Sequence, residues 1–190
     1  MNCSFLFRPQ TPDDLPAIDA LHEKSFGPGR FARTAYRIRE AARVPPAIAL
    51  TAWDGTQLIG AIQFTAINIG GKRGAALLGP LAIAPAYKNN GCGLRLMQDG
   101  LAEAKRLGFE LVVLIGDLPY YQRVGFGVIP HSRIALPGPV DPARFLAAKL
   151  KAGALSRFSG MVAPDNEPQW TLLKPRSDGF GTGLYPLVGA

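Results

Sequence analysis

At 190 residues with 47 % hydrophobic content, the chain is long enough to bury one substantial core and cramped for two. Its formal charge of +7 suits a polyanionic cofactor as well as nucleic acid, but no aromatic-interleaved basic run or nucleic-acid motif accompanies it, so nucleic acid is set aside. Apolar runs are strand-sized, the start MNCSFLFRPQ is unlike a signal peptide, and Cys3 and Cys92 form neither a metal set nor a disulfide framework; the expectation is a cytoplasmic protein with no membrane span, no metal and reduced thiols.

Phe5 to Arg8 reads as a first strand, ended by Pro9. Thr11 is placed as the N-cap of a helix with Pro12 at its first position, Asp13 and Asp14 complementing its dipole, and Leu15, Ile18 and Leu21 turned inward. That helix runs to about Phe26, where Gly27, Pro28 and Gly29 stop it. A second helix is predicted over roughly Phe31 to Arg43, with Phe31, Ala35, Ile38 and Ala42 on one face and Arg30, Arg33 and Arg37 gathered on another. Ala47 to Trp53 and Gln57 to Ile69 read as strands joined by an Asp54-Gly55 turn, and Gly70 to Gly74 turns the chain back into a third antiparallel strand, Ala75 to Ile83.

The stretch LLGPLAIAPAYKNNGCGL, Leu77 to Leu94, reads as one device. Its first half is an apolar strand interrupted by Gly79 and Pro80; proline has no N–H for a ladder and glycine tolerates a bulge, so a bent, partly unzipped strand is expected. Backbone groups near Leu81, Ala82 and Ile83 are then free to bond a ligand lying alongside as a pseudo-strand. Lys88, Asn89, Asn90, Gly91, Cys92, Gly93 and Leu94 follow, opening a helix whose Leu94, Met97, Leu101 and Ala104 share a face. Unsatisfied N–H groups, a positive dipole end and two glycines make that opening a pyrophosphate cradle. The spacing fits neither G-x-x-x-x-G-K-[ST] nor the Rossmann fingerprint, which needs a third glycine where Leu96 stands.

On these residues the chain resembles the GCN5-related N-acetyltransferase (GNAT) superfamily, in particular its YhbS-like bacterial N-acetyltransferases. The family's diphosphate motif, Gln/Arg-x-x-Gly-x-Gly/Ala, is met by Gly91 and Gly93, with Lys88 where Gln or Arg is usual; the cation is kept and its planar fork lost. LGFELVVLIGDLPYYQRVGF, Leu107 to Phe126, is similar to the family's next strand, short helix and Tyr-x-x-x-Gly-Phe signature. The resemblance runs from about Phe5 to Ile134 and implies an α/β fold with a mixed, mostly antiparallel sheet of about six or seven strands, splayed at Leu77 to Ile83 and flanked by helices. It also implies transfer of an acetyl or other acyl group from acetyl-CoA or another acyl-CoA to a small-molecule or peptide amine. Leu81 N–H would polarise the thioester carbonyl, and Tyr121, at the signature spacing, would protonate the departing thiolate. Tyr120 next door competes for the inward position. Cys92 is read as a small buried hydrophobe rather than a nucleophile.

After the cradle helix, Glu110 to Ile115 is expected as a strand parallel to the Leu77 strand, the two splaying into a cleft. A short helical turn lies within Gly116 to Gln122, a strand over Phe126 to Leu136, a helix over Pro142 to Lys151 and a last strand over Leu155 to Val162. This makes residues 1–162 the transferase domain and 163–190, rich in Pro and Gly, an extension lying on the surface or disordered. His22, Glu23 and Glu40 are base candidates by chain position alone, and His131 reads as a surface or core residue. The resemblance places the junction of the first two helices over the acceptor site, which implies that the arginine face could receive an acidic or phosphorylated acceptor. Acyl carrier protein as donor, a homodimer, and a non-catalytic acyl-CoA sensor or interaction module on the same fold remain open.

Overall fold

The computed structural model describes residues 5–29, 34–130 and 133–167. Its framework is an apolar hairpin: β2 (Ile48–Asp54), β3 (Gln57–Ile69) and β4 (Lys72–Ile83) are antiparallel neighbours, and β1 (Leu6–Pro9) pairs antiparallel with β2. Alternation along β3 sends Ile62, Phe64 and Ala66 to one face and Ala61, Ile67 and Ile69 to the other. The first face is covered by α3 (Cys92–Arg106), the second by α1 (Leu15–Phe26) and α2 (Thr34–Glu40).

Between Ile62 and Phe64 of β3 the partner on β4 moves from Leu81 to Leu78, so β4 carries one extra residue at Gly79-Pro80. The bulge inverts the strand's parity. Ala76 and Leu78 pack toward α3 before it, whereas Leu81 and Ile83 do so after it and Ala82 joins Ile18 and Leu21 of α1.

β5 (Leu111–Ile115) lies parallel to β4. Beyond it the structure departs from the sequence-based expectations. Instead of a helix over Pro142 to Lys151, a 3-10 turn at Pro142–Arg144 leads into β8 (Phe145–Lys149), inserted antiparallel between β5 and β6 (Gly127–Val128). Phe145 to Ala148 are all buried, and a short continuous apolar run has no period to separate a doubly buried strand from a helix. The single strand expected over Phe126 to Leu136 is broken in two: β6 pairs with β8, then Pro130 intervenes, and β7 (Ile134–Ala135) leaves to pair with β9 (Gly160–Pro164). Leu155 to Val162 is divided likewise into a short helix, Ala154–Arg157, and β9. The sheet therefore has nine strands among the described residues, in the order β1-β2-β3-β4-β5-β8-β6, with β9 also on β3.

Ordered structure passes residue 162, since β9 ends at Pro164 and Asp165 is held by Arg73 at 2.9 Å; residues 168–190 lie outside the described residues. Two helix expectations shift. Leu15 is 45 % exposed because Pro12–Asp14 forms a separate 3-10 turn, where the Asp14 carboxylate accepts the Thr11 N–H at 2.7 Å and pairs with Arg8 at 2.7 Å. On α3 the buried stripe is Leu96, Met97, Gly100 and Ala104, with Leu94 and Leu101 on its margins. It turns this way because Gly100 sits against the Phe64 ring, where any Cβ would overlap it.

Candidate functional site

The opening in the sheet follows from the strand register. β4 and β5 pair only at Ala75–Leu111, Ala76–Val112 and Leu77–Val113, after which β5 continues along β8 as far as Ile115–Phe145. From Leu78 onward β4 has β3 on one side and, among the described residues, no strand on the other. Ala84 N–H donates to Ile59 C=O at 2.8 Å, and antiparallel partners alternate between bonded and outward-facing. Ala82, opposite Ala61, therefore faces β3, while Leu81 and Ile83 turn their N–H and C=O groups to the vacated edge. Of the three residues expected to offer free backbone, Ala82 is committed to the sheet.

The loop after β4 supplies the second part. Asn89 has φ 65° and Gly91 φ 86°, both in the left-handed region, and together they swing the chain into α3. Asn90 Oδ1 accepts the Cys92 N–H at 3.1 Å, so that amide is already capped. The first helical ladder bond is Arg95 N–H to Gly91 C=O at 3.0 Å, which leaves Gly93 and Leu94 N–H without ladder partners. A Cβ on Gly91 would meet nothing within 4 Å, so the space in front of this turn is open to a ligand. Lys88, Asn89 and Asn90 are exposed around it. The Cys92 thiol points into the core, 2 % exposed, and burial pushes its pKa up to about 11. Such a thiol is a packing group.

Both tyrosines of the signature lie on α4 (Leu118–Tyr121). Tyr120 reaches the start of α3: a Cβ on Gly93 would overlap its Oη. Tyr121 lays its ring on Gly116, where β5 ends, and meets the Phe126 ring edge-on at 5.9 Å and the Tyr120 ring at 5.2 Å. Gly116 has no side chain because the ring occupies that volume. Burial first, then the neighbouring Tyr120 and Asp117, raises the Tyr121 pKa to about 12, and burial also raises that of Tyr120. Tyr121 thus keeps its proton at neutral pH. The segment is fixed at its base by Gly116 N–H to Arg144 C=O at 2.9 Å and by an Arg144–Asp117 ion pair at 3.1 Å.

On the opposite face α2 brings Arg39 to the bulge, its Nη1 3.4 Å from where a Gly79 Cβ would stand. The guanidinium stacks on Tyr36, 4.3 Å from the ring centroid, and burial lowers its pKa to about 10. Sequence reading passed over Arg39 in favour of Arg37, which is exposed, and of Arg30 and Arg33, which lie outside the described residues with His131 and Cys3. The available signal was its place beside Ile38, on the margin of the buried face. Of the base candidates, Glu23 and Glu40 are exposed and His22 is buried against Phe26. An apolar cavity of about 140 Å³, lined among others by Ile129, Ile134, Leu136, Val140 and Phe145, opens beside the cluster that holds Ile38.

A family model described as the acetyltransferase (GNAT) family matches residues 15–126, which contain the bulged strand, the cradle and the Tyr-x-x-x-Gly-Phe segment. The chain belongs to the GNAT acetyltransferase family. It is 29 % identical over 158 residues to the N-acetyltransferase YhbS of Escherichia coli K12, covering 83 % of this chain and 94 % of that one. The crystal structure of Escherichia coli YhbS in complex with CoA superposes with a TM-score of 0.76 at 28 % identity, over 87 % of this chain and 92 % of that one. A GNAT family acetyltransferase from Brucella melitensis in complex with acetyl-CoA gives a TM-score of 0.58 at 30 % identity, over 77 % and 96 % of the two chains. Among the described residues no helix is long and apolar enough to cross a membrane, and no group of three or more His, Cys, Asp or Glu is placed to hold a metal.

Proposed function

We propose that this GNAT protein transfers an acetyl group from acetyl-CoA to a primary amine by direct attack of the amine on the thioester, without a covalent enzyme intermediate. The observation that carries the reading is the vacated edge of β4: Leu81 and Ile83 face outward beside a helix start with unpartnered amides, and a protonated Tyr121 stands at the neighbouring strand end. Support for acetyl-CoA comes from the open space at Gly91, which fits a diphosphate, and from the two relatives crystallised with CoA and acetyl-CoA.

Acetyl-CoA supplies an activated carbonyl and a sulfur leaving group. The chain supplies the rest. Asn89, Asn90, Gly91, Gly93 and Leu94 receive phosphates through backbone N–H groups and the dipole of α3, with Lys88 adding a cation at the rim. Cys92 contributes to that loop as the residue whose amide Asn90 caps and whose thiol anchors the turn in the core. The outward groups of Leu81 and Ile83 pair with the amide-bearing arm as a strand would. Leu81 N–H donates to the thioester carbonyl oxygen, favouring the charge that develops there as nitrogen attacks. Tyr121 hands its proton to the departing sulfur, while the attacking nitrogen releases its own to water, from which the phenol is reprotonated; burial that keeps the phenol neutral preserves it as an acid.

Two measurements test this reading together. Native mass spectrometry of the purified protein is expected to reveal co-purifying coenzyme A species, and a thiol-release assay with acetyl-CoA and a panel of amines is expected to give turnover. Tight acetyl-CoA binding with no thiol released for any amine would instead favour an acyl-CoA sensor on the same fold.

A further inference from the structure

Among the described residues, six arginines meet carboxylates, while Arg37, Arg43 and Arg123 are exposed to water and Arg133 donates to backbone carbonyls. Arg8 pairs with Asp14, Arg73 with Asp165, Arg95 with Asp99, Arg106 with Glu103, Arg144 with Asp117 and Arg157 with Glu110. Arg39 differs. Burial lowers its pKa to about 10, an effect that the neighbouring Tyr36 and Glu40 offset only in part; the Tyr36 ring stacks on one side, and among the described residues no carboxylate pairs with it within 4 Å. A cation taken out of water without an anion is an unfavourable arrangement unless a ligand completes it.

Its position says which ligand. Nη1 lies 3.4 Å from the Gly79 Cβ position, two residues before Leu81. At about 3.3 Å of strand rise per residue, the guanidinium stands within roughly 10 Å of the Leu81 amide. The acetyl group is placed at that amide by the proposed function, on which this inference rests. We infer that the amine acceptor carries a carboxylate, received by the Arg39 guanidinium beside the β4 bulge. The planar fork of arginine matches a carboxylate with two parallel hydrogen bonds, while stacking on Tyr36 fixes the plane in which it is presented. The span restricts the acceptor to an amine a few bonds from its carboxylate, of which amino acids are the simplest. Anchored in this way, the amine meets the thioester in a fixed orientation rather than by collision.

The test is a thiol-release assay with acetyl-CoA and matched pairs of acceptors, each amino acid against its own primary carboxamide. An amide lowers the pKa of the adjacent amine, so the decisive quantity is the change in the acid-to-amide ratio of kcat/KM between wild type and variant. Arg39→Gln is expected to lower that ratio by about 10- to 100-fold, the value of a charge-assisted pair, mainly through KM for the acid. Arg39→Lys, which keeps the charge and loses the fork, is expected to fall between the two. Melting curves and acetyl-CoA calorimetry establish that each variant is folded and loaded. An unchanged ratio in folded Arg39→Gln overturns the inference. So does a wild type that binds acetyl-CoA and acetylates only amines without a carboxylate, or none at all, and in that case the coenzyme site survives. If acetyl-CoA does not bind wild type, both readings fall.

Discussion

Replacing Gly91 with valine separates the cradle from the fold, because the structure provides a matched control. Gly91 and Gly108 share a φ of 86°, and at neither would a Cβ meet anything within 4 Å. The two glycines flank the 15-residue helix α3, which holds them about 25 Å apart. Forcing a side chain into the left-handed region costs about 1–2 kcal/mol at either position. For a chain of this size that lowers Tm by roughly 2–8 °C. Only at Gly91 does the branched side chain also occupy the space assigned to phosphate. Losing one charge-assisted hydrogen bond, about 1.5–3 kcal/mol, raises Kd for coenzyme A by about 10- to 150-fold. Calorimetry on both folded variants is expected to show similar Tm values, weakened binding in Gly91→Val and wild-type binding in Gly108→Val. Equal coenzyme A affinity in the two would refute the placement of the diphosphate.

With its pKa pushed up to about 11 by burial, the Cys92 thiol is about one part in a thousand ionised at pH 8. In a Cys3→Ser background, iodoacetamide should therefore label the folded protein far more slowly than the urea-unfolded one, and Cys92→Ala should still transfer acetyl; rapid labelling when folded would contradict the buried geometry. At Asp14, burial pushes the carboxyl up, but hydrogen bonds from the Arg8 guanidinium and the Thr11 N–H outweigh it, leaving the folded pKa below the usual value. Its contribution is thus present above the unfolded pKa of about 3.9 and is lost as pH falls through the folded value. Asp14→Asn is expected to cost about 1–3 kcal/mol at pH 7 in urea unfolding, with the gap to wild type closing below about pH 4. A gap that persisted to low pH would assign the loss to packing.

Much of the central device was legible because its residues constrain the backbone directly. Gly79 and Pro80 announce the bulge, and the glycines after Lys88 announce the helix start. What the string could not reveal was which outward groups the bulge would leave, since that depends on register, and register placed Ala82 against β3. The second half was harder for a different reason. Phe145 to Ala148 form a strand buried on both faces, without alternation, and the position of β8 between β5 and β6 is a tertiary fact that no local pattern records. Arg39 was overlooked because charge reads as surface. Desolvation of its guanidinium depends on Tyr36 and Gly79, the latter forty residues away in sequence.

The central claim is that this site carries out acyl transfer with Tyr121 as the proton donor, and Tyr121→Phe tests it most directly. The substitution removes one oxygen and keeps the ring on Gly116 and against Phe126. In a thiol-release assay with an accepted amine, kcat should fall by about 10²- to 10⁴-fold, the usual contribution of a positioned acid, with acetyl-CoA affinity and Tm nearly unchanged. Tyr120→Phe should retain most activity. Normal turnover in Tyr121→Phe alongside a collapse in Tyr120→Phe would move the role to the tyrosine at the start of α3, and normal turnover in both would contradict protonation of the leaving group by the protein.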